Sequence, residues 1–401
     1  MQIWTLKADH EHKADWLGVP GHQSANNPCP SCACDTSATP NSWTSIPPSS
    51  TWKRFGTMEE WYHWCTIVVV SGKRGKPPIP WFVKWADGGL GLSIFMLFQD
   101  TLHACDLGVS SHVIANVLVY MVESDMLGTP GMNKEAKLSQ LWREMQALYK
   151  EHGVSSQIGN INMSMVCPKP MTDYPELTSH IKGAQTRCLA PIVCELFAMH
   201  GRFLPSKADY SVMDHEVWLV IKGLATFYEV LMMNMNNDKW HYCEHDIEVI
   251  QESVTTMMVM YKKLSFRYMF GDGPAWVAGV GPRWKWSIKH HHVLHIPEEA
   301  MLQCIHLSWC YMNEGFVGVM KKIGESCRYS FKAAHRSATI CRKWAMGTCI
   351  MLMFAMQDKS GECMLGRHGV AVLRAEDSRE VHEDDEGEEF FGFGFDDMHL
   401  G

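Results

Sequence analysis

The sequence lacks an uninterrupted apolar run long enough to cross a bilayer. Its longest, "WAMGTCIMLMFAM" (Trp344–Met356), falls short of the roughly 20 residues a spanning helix needs. A buried helix is the expectation there, with no membrane partner. It also lacks any regular spacing among its fifteen cysteines, an odd number, which argues against a disulfide scaffold. No apolar leader stretch opens the chain, which begins "MQIWTLKADHEHK". Together these point to reduced thiols in the nucleus or cytosol rather than a secreted protein. No internal repeat is visible. Little net charge is left once the end of the chain is removed. Residues 374–401 hold eleven acidic residues and two arginines of a chain whose net charge is −8, leaving residues 1–373 at +1. A neutral body with an acidic, solvated tail is the reading.

What is present is an ordinary globular composition, 46% hydrophobic and 20% charged over 401 residues, enough for a large core. Residues 2–8 read as a short strand closing at Asp9, and loop signals then dominate to about residue 56. Helical periodicity begins near "TMEEWYHWCTIVVV". It strengthens in "SSHVIANVLVYMVESDML", where a serine stands at the expected N-cap, and in "NKEAKLSQLWREMQALYKEHG", which ends on glycine. Three more helical stretches carry residues 105–270 as an all-helical body, closed by the Gly/Pro loop Gly271–Pro282.

Four constellations can carry chemistry. Cys29 and Cys32 form a Cys-x-x-Cys, which is half a zinc site, a redox pair, or a pair without a special role. "KHHHVLH" places four histidines within six residues, and His291 and His295 share one helical face. That cluster is either the other half of a zinc site or a core-edge group. Joined, the two pairs form a Cys2His2 site whose halves stand 259 residues apart and staple the ends of the chain around the helical body. Asp9 lies 20 residues before Cys29, and Glu314 lies 19 after His295. If zinc joins the halves, these carboxylates become neighbours able to hold divalent metal for phosphoryl transfer. In "QDTLHACDLGV", Asp100, His103 and Asp106 share a helical face, as a metal or catalytic triad, or with Asp100 and Asp106 as cap or packing residues. Lastly, Lys321, Lys322, Arg328, Lys332, Arg336, Arg342 and Lys343 form a basic helix-like stretch. It suits phosphate-backbone contact, or is a solvated face.

In this order the motifs resemble the transposases of CACTA (En/Spm) type DNA transposons. The likeness rests on "ADWLGVPGHQSANNPCPSC", "DTLHACDLGV", "KHHHVLHIP" and "NEGFVGVMKK", and spans residues 6 to about 323. It implies a mostly α chain: the remnant of an RNase H-like α/β core with a large all-helical insertion. Residues 1–56 would supply a strand and the Cys-x-x-Cys segment, 57–283 the insertion, 284–373 the histidine and glutamate helices, and 374–401 the tail. The same Asp-then-CxxC and HxxxH-then-Glu order occurs in the V(D)J recombinase core. By that analogy Asp9 is the second catalytic aspartate and Glu314 the glutamate. The first aspartate is expected upstream of residue 1, with Asp100 as its substitute if the chain supplies one, so the sequence reads as a transposase truncated at its N-terminus. The resemblance implies Mg²⁺ at the catalytic carboxylates and structural Zn²⁺ on Cys29, Cys32, His291 and His295. Transposon-end DNA is the implied partner, and a homo-oligomer is possible in such a family. The rival is a non-catalytic, zinc-stabilised nucleic-acid-binding protein.

Overall fold

Leu102 to Glu123 is apolar on nearly every side, a pattern that only an enclosed helix satisfies. The computed structural model describes residues 29, 31–36, 42–54, 60, 99–127, 131–170, 172–202, 212–270 and 281–309. There this stretch is a central helix. By length and composition it could cross a membrane, but 89% of its apolar window is buried in protein. Its first part, Leu102–Val109, is wound as a π-helix, and α1 (Ser110–Glu123) continues it without a break. The expected serine cap is therefore not used. Residues upstream of Ser110 are apolar enough to bury, so the helix enters through them, and Ser110 Oγ instead meets the Tyr228 hydroxyl at 2.6 Å.

Around this axis the other helices present one apolar face each. In α2 (Lys134–Glu151), Leu138, Leu141, Met145, Leu148 and Tyr149 are buried at helical spacing. Asn133 caps its start by accepting the Ala136 N–H at 2.8 Å. Its end is a Schellman turn: Val154 N–H donates to the Tyr149 carbonyl at 3.0 Å while Gly153 sits at φ +62°. This is the glycine stop expected from the sequence. A short turn, α3 (Met163–Val166), follows, and then α4 (Gly183–Arg202), with Pro191 in its interior.

The longest pair is α5 (Val212–Asn236) and α6 (Glu244–Phe270), packed along each other. Arg267 reaches Glu216 at 2.9 Å near one end, and Gly223 lies against Ser253 and Met257 further along, so the two run antiparallel. After residue 281 the chain returns to the body. Trp284 donates its N–H to Asn116 Oδ1 of α1 at 2.9 Å, and its ring meets Tyr261 of α6 edge-on at 5.3 Å. Two short helices follow, before a 3-10 turn at Ile305–Leu307 near the end of the described part. α7 (Ile288–Val293) lies against the π-helical segment, and α8 (Ile296–Ala300) lies against α6.

Among the described residues 64% are helical and none lies in a strand; the Cys29–Arg54 region holds two isolated bridges, Cys32 with Arg54 and Asp35 with Ser42. The mostly α expectation holds for this part. The strand ending at Asp9, the 57–70 helix apart from Glu60, Glu314, the basic stretch 321–343 and the acidic tail lie outside the described residues. The described residues all belong to one unit, Met1–Tyr311; the second, Met312–Gly401, lies outside them.

Candidate metal centre

The histidine half of the site owes its shape to a local cap. Ser287 opens α7, and its backbone N–H donates to His290 Nδ1 at 3.1 Å, with His290 in the place a glutamate usually takes in a capping box. One turn on, the backbone stays helical across the junction with α8, Leu294 N–H donating to the carbonyls of His290 and His291. His291 and His295 are thus held on one face, their Nε2 atoms 3.2 Å apart. The cysteine half is a loop. Ser31 N–H points at Cys29 Sγ at 3.4 Å, and the bridge to Arg54 pins Cys32.

The two halves meet. Cys29 Sγ lies 3.5 Å from His295 Nε2, and Cys32 Sγ lies 3.2 Å from His291 Nε2. The four donor atoms all lie within 4.8 Å of one another, and all four residues are fully buried. Around zinc, bonds of about 2.3 Å to sulfur and about 2.0 Å to nitrogen give tetrahedral edges of about 3.5 Å for S···N and about 3.3 Å for N···N. The S···N distances of 3.5 and 3.2 Å and the N···N distance of 3.2 Å come close to those edges.

The outer contacts point the same way. The carbonyl of Trp43 accepts from His291 Nδ1 at 3.0 Å, which leaves Nε2 with its lone pair facing inward. Glu298 Oε2 stands 3.5 Å from His295 Nδ1, a charge approach rather than a hydrogen bond. Trp52 covers both imidazoles edge-on, with centroids 4.6 and 5.1 Å away, and keeps water out. Burial alone would push the Cys29 thiol up, but hydrogen bonds from Cys32 and Cys34 and the charges of His295 and His291 bring it well below its ordinary value. Burial pulls His295 down, yet the Cys29 thiolate outweighs it and raises that imidazole to about 9. Burial pushes the Cys32 thiol up. With its four donor atoms gathered and buried, this Cys2His2 cluster can hold a metal ion such as zinc.

No protein-family model, curated protein or solved structure matches this chain. Its site is therefore read from its own geometry.

A carboxylate that sequence reading passed over ties the site together. Glu299 is fully buried and accepts Arg54 Nη1 at 3.1 Å and the Gln99 N–H at 2.9 Å with each oxygen. Gln99 Nε2 in turn donates to Ser31 Oγ at 2.8 Å, and Ser308 Oγ donates to the Gln99 carbonyl at 3.3 Å. The cysteine loop, the entry to the π-helix and α8 are thereby one network. Glu299 follows Glu298, which faces the ligand His295. The only hint in the sequence was an ordinary "PEEA".

Of the remaining expected site residues, Asp100 is described and buried. Its carboxylate accepts the Leu102 N–H at 3.1 Å and is bonded to His103 Nδ1, so its oxygens are engaged at the helix entry. Asp106 is fully buried and accepts from the Tyr228 hydroxyl at 2.6 Å. The three residues of "DTLHACD" thus do not converge on one acidic pocket: Asp100 pairs with His103, and Asp106 packs on α5. Asp9, Glu314 and the seven basic residues from Lys321 to Lys343 lie outside the described residues.

Proposed function

We propose that this chain is a transposase-derived protein of the CACTA type that acts on DNA and carries a structural zinc ion on Cys29, Cys32, His291 and His295. One observation carries the reading: two ligand pairs 259 residues apart meet with their donor atoms within 4.8 Å of one another, as the resemblance requires of a Cys-x-x-Cys and a His-x-x-x-His flanking a helical insertion. Zinc supplies cross-linking here, not chemistry; it makes the loop and α7 one body. The reading places Asp9 ahead of the first pair and Glu314 beyond the second. In the RNase H-like remnant these would hold Mg²⁺, which would favour attack on a transposon-end phosphodiester. The basic stretch would grip the backbone of the DNA.

The engagement of Asp100 with His103 and the Leu102 N–H favours a second form of this reading. A carboxylate already committed to protein donors is a poor third ligand for Mg²⁺. On that form the chain binds DNA through its zinc-stapled body without cutting it. Incubating the purified full chain with Mg²⁺ and supercoiled or transposon-end DNA separates the two. Nicking lost in Asp9→Asn and Glu314→Gln supports the nuclease. Binding that weakens steeply with salt, without nicking, supports the relic. Neither binding nor nicking rejects both.

A further inference from the structure

A buried acid and a half-exposed histidine stand together at the entry to the π-helix, apart from the four metal ligands. The Asp100 side chain is 3% exposed and the His103 imidazole 32%. The carboxylate accepts the Leu102 N–H with one oxygen and meets His103 Nδ1 with the other. A helix-entry cap needs only the first of these contacts. The second fixes the ring: with Nδ1 donating to a carboxylate, a neutral imidazole carries its lone pair on Nε2. Both halves of the metal centre hold this pair in place. On one side Gln99, next to Asp100, donates through Nε2 to Ser31 Oγ at 2.8 Å, between the ligands Cys29 and Cys32. On the other, Lys289 of α7, two residues before the ligand His291, donates to the Leu107 carbonyl at 3.3 Å. Gly108 completes the clamp, because a Cβ there would stand 2.7 Å from the His103 carbonyl and 2.8 Å from Lys289 Cδ. π-Helical turns are frequent at functional sites.

We propose that His103 is the general base of the DNA-cleaving reaction and that Asp100 is its positioning residue. This rests on the nuclease form of the proposed function, and it gives Asp100 a place in that reaction without making it a Mg²⁺ ligand. As a water oxygen attacks phosphorus, His103 Nε2 accepts a proton from that water. The bond from phosphorus to the 3′ oxygen breaks, and that oxygen takes a proton from solvent. His103 then returns its own proton to solvent, so one water and one diester give a 5′-phosphate and a 3′-hydroxyl. Asp100 keeps Nε2 as the accepting atom and faces the imidazolium while the ring carries the proton.

The test uses the full chain, loaded with Zn²⁺ and supplied with Mg²⁺, and follows single-turnover nicking of supercoiled plasmid with the chain in excess. Zinc content and plasmid affinity are measured beside the rate. His103→Ala should hold zinc and bind plasmid as the native chain does, yet nick about 10²–10⁴-fold more slowly. Added imidazole should restore part of that rate and should do nothing for Asp9→Asn. Asp100→Asn, whose amide can donate to Nδ1 and turn the lone pair away from Nε2, should also slow nicking with affinity unchanged. Should the alanine variant fail to take up zinc, His103→Ser replaces it, since its hydroxyl can still meet Asp100 and leaves room for imidazole. Nicking at the native rate without the His103 imidazole overturns the inference and leaves the nuclease reading standing. So does a loss that imidazole leaves untouched in a variant with full zinc content. Nicking that needs His103 or added imidazole, but survives in both Asp9→Asn and Glu314→Gln, keeps the inference and rejects those two carboxylates. A native chain that does not nick rejects the nuclease reading and this inference with it.

Discussion

Removing the Glu299 carboxylate tests whether the network beside the metal site holds the fold together. Glu299 is fully buried and the Arg54 side chain is 9% exposed. Glu299→Ala takes from the guanidinium the carboxylate it faces at 3.1 Å, and takes from the Gln99 N–H both of its oxygens at 2.9 Å. Breaking a buried pair by removing one partner costs about 3–5 kcal/mol. A buried N–H that loses its acceptor costs about 1–3 kcal/mol. The two effects share a site and overlap, so the expected loss is about 4–6 kcal/mol. That is a large part of the roughly 5–15 kcal/mol that stabilises a typical domain. Glu299→Gln keeps an oxygen for Gln99 but not the charge for Arg54, and should lose roughly half as much. Replacing both partners, Arg54→Met with Glu299→Met, removes two buried charges together and should recover most of the loss. Urea unfolding of the zinc-loaded chain, followed by far-ultraviolet circular dichroism, reads all three. A loss below about 1 kcal/mol in Glu299→Ala would refute the reasoning, since that is near the range of changes at unconstrained surface positions.

Acid should loosen the metal-free chain in a defined direction. Burial holds His112, His290 and His291 below the ordinary histidine value. The unfolded chain therefore takes up their protons first. The stability they lend is fully present above about pH 6.5 and is lost as pH falls from there toward their folded values, by at most about 1.4 kcal/mol per pH unit for each. Urea midpoints measured from pH 6.5 to 5, below the range where the raised His295 acts in the opposite sense, should fall, and His112→Gln should flatten the slope; a midpoint that rises over that range would contradict the burial described. Gly223→Ala should destabilise by about 1–3 kcal/mol, because its Cβ would stand 2.7 Å from the Ser253 carbonyl and 3.0 Å from Met257 Cβ, where α5 and α6 cross. Thermal melts would show it, and an unchanged midpoint would mean that the two helices pack less closely than described.

Much of the helical body was legible because its signals are local. The glycine after "YKEH" ends α2 from sequence alone, and it does that work in the structure, while Asn133 caps the start. The ligand pairs were legible as pairs, since a two-residue gap between cysteines and a four-residue gap between histidines are spacings that metals impose. Their convergence was legible only as an expectation, because nothing local says which loop meets which helix. The π-helical entry was not legible. The serine at the head of "SSHVIANV" looks like a cap, and only the packing of Leu102–Val109 in the core overrides it. Nor were Arg54, Gln99 and Glu299, whose importance comes from burial and from partners as many as 245 residues away. Charged residues carry no mark in sequence that separates a buried pair from a solvated one.

The central claim is that Cys29, Cys32, His291 and His295 bind one metal ion between them. Zinc content of the purified chain, measured beside Cys32→Ser and His295→Ala, tests it most directly. The account predicts about one zinc per chain, lost in both variants, as a site with four ligands and no spare position requires. Zinc absent from the native chain, or lost with the cysteine but retained with the histidine, would contradict it.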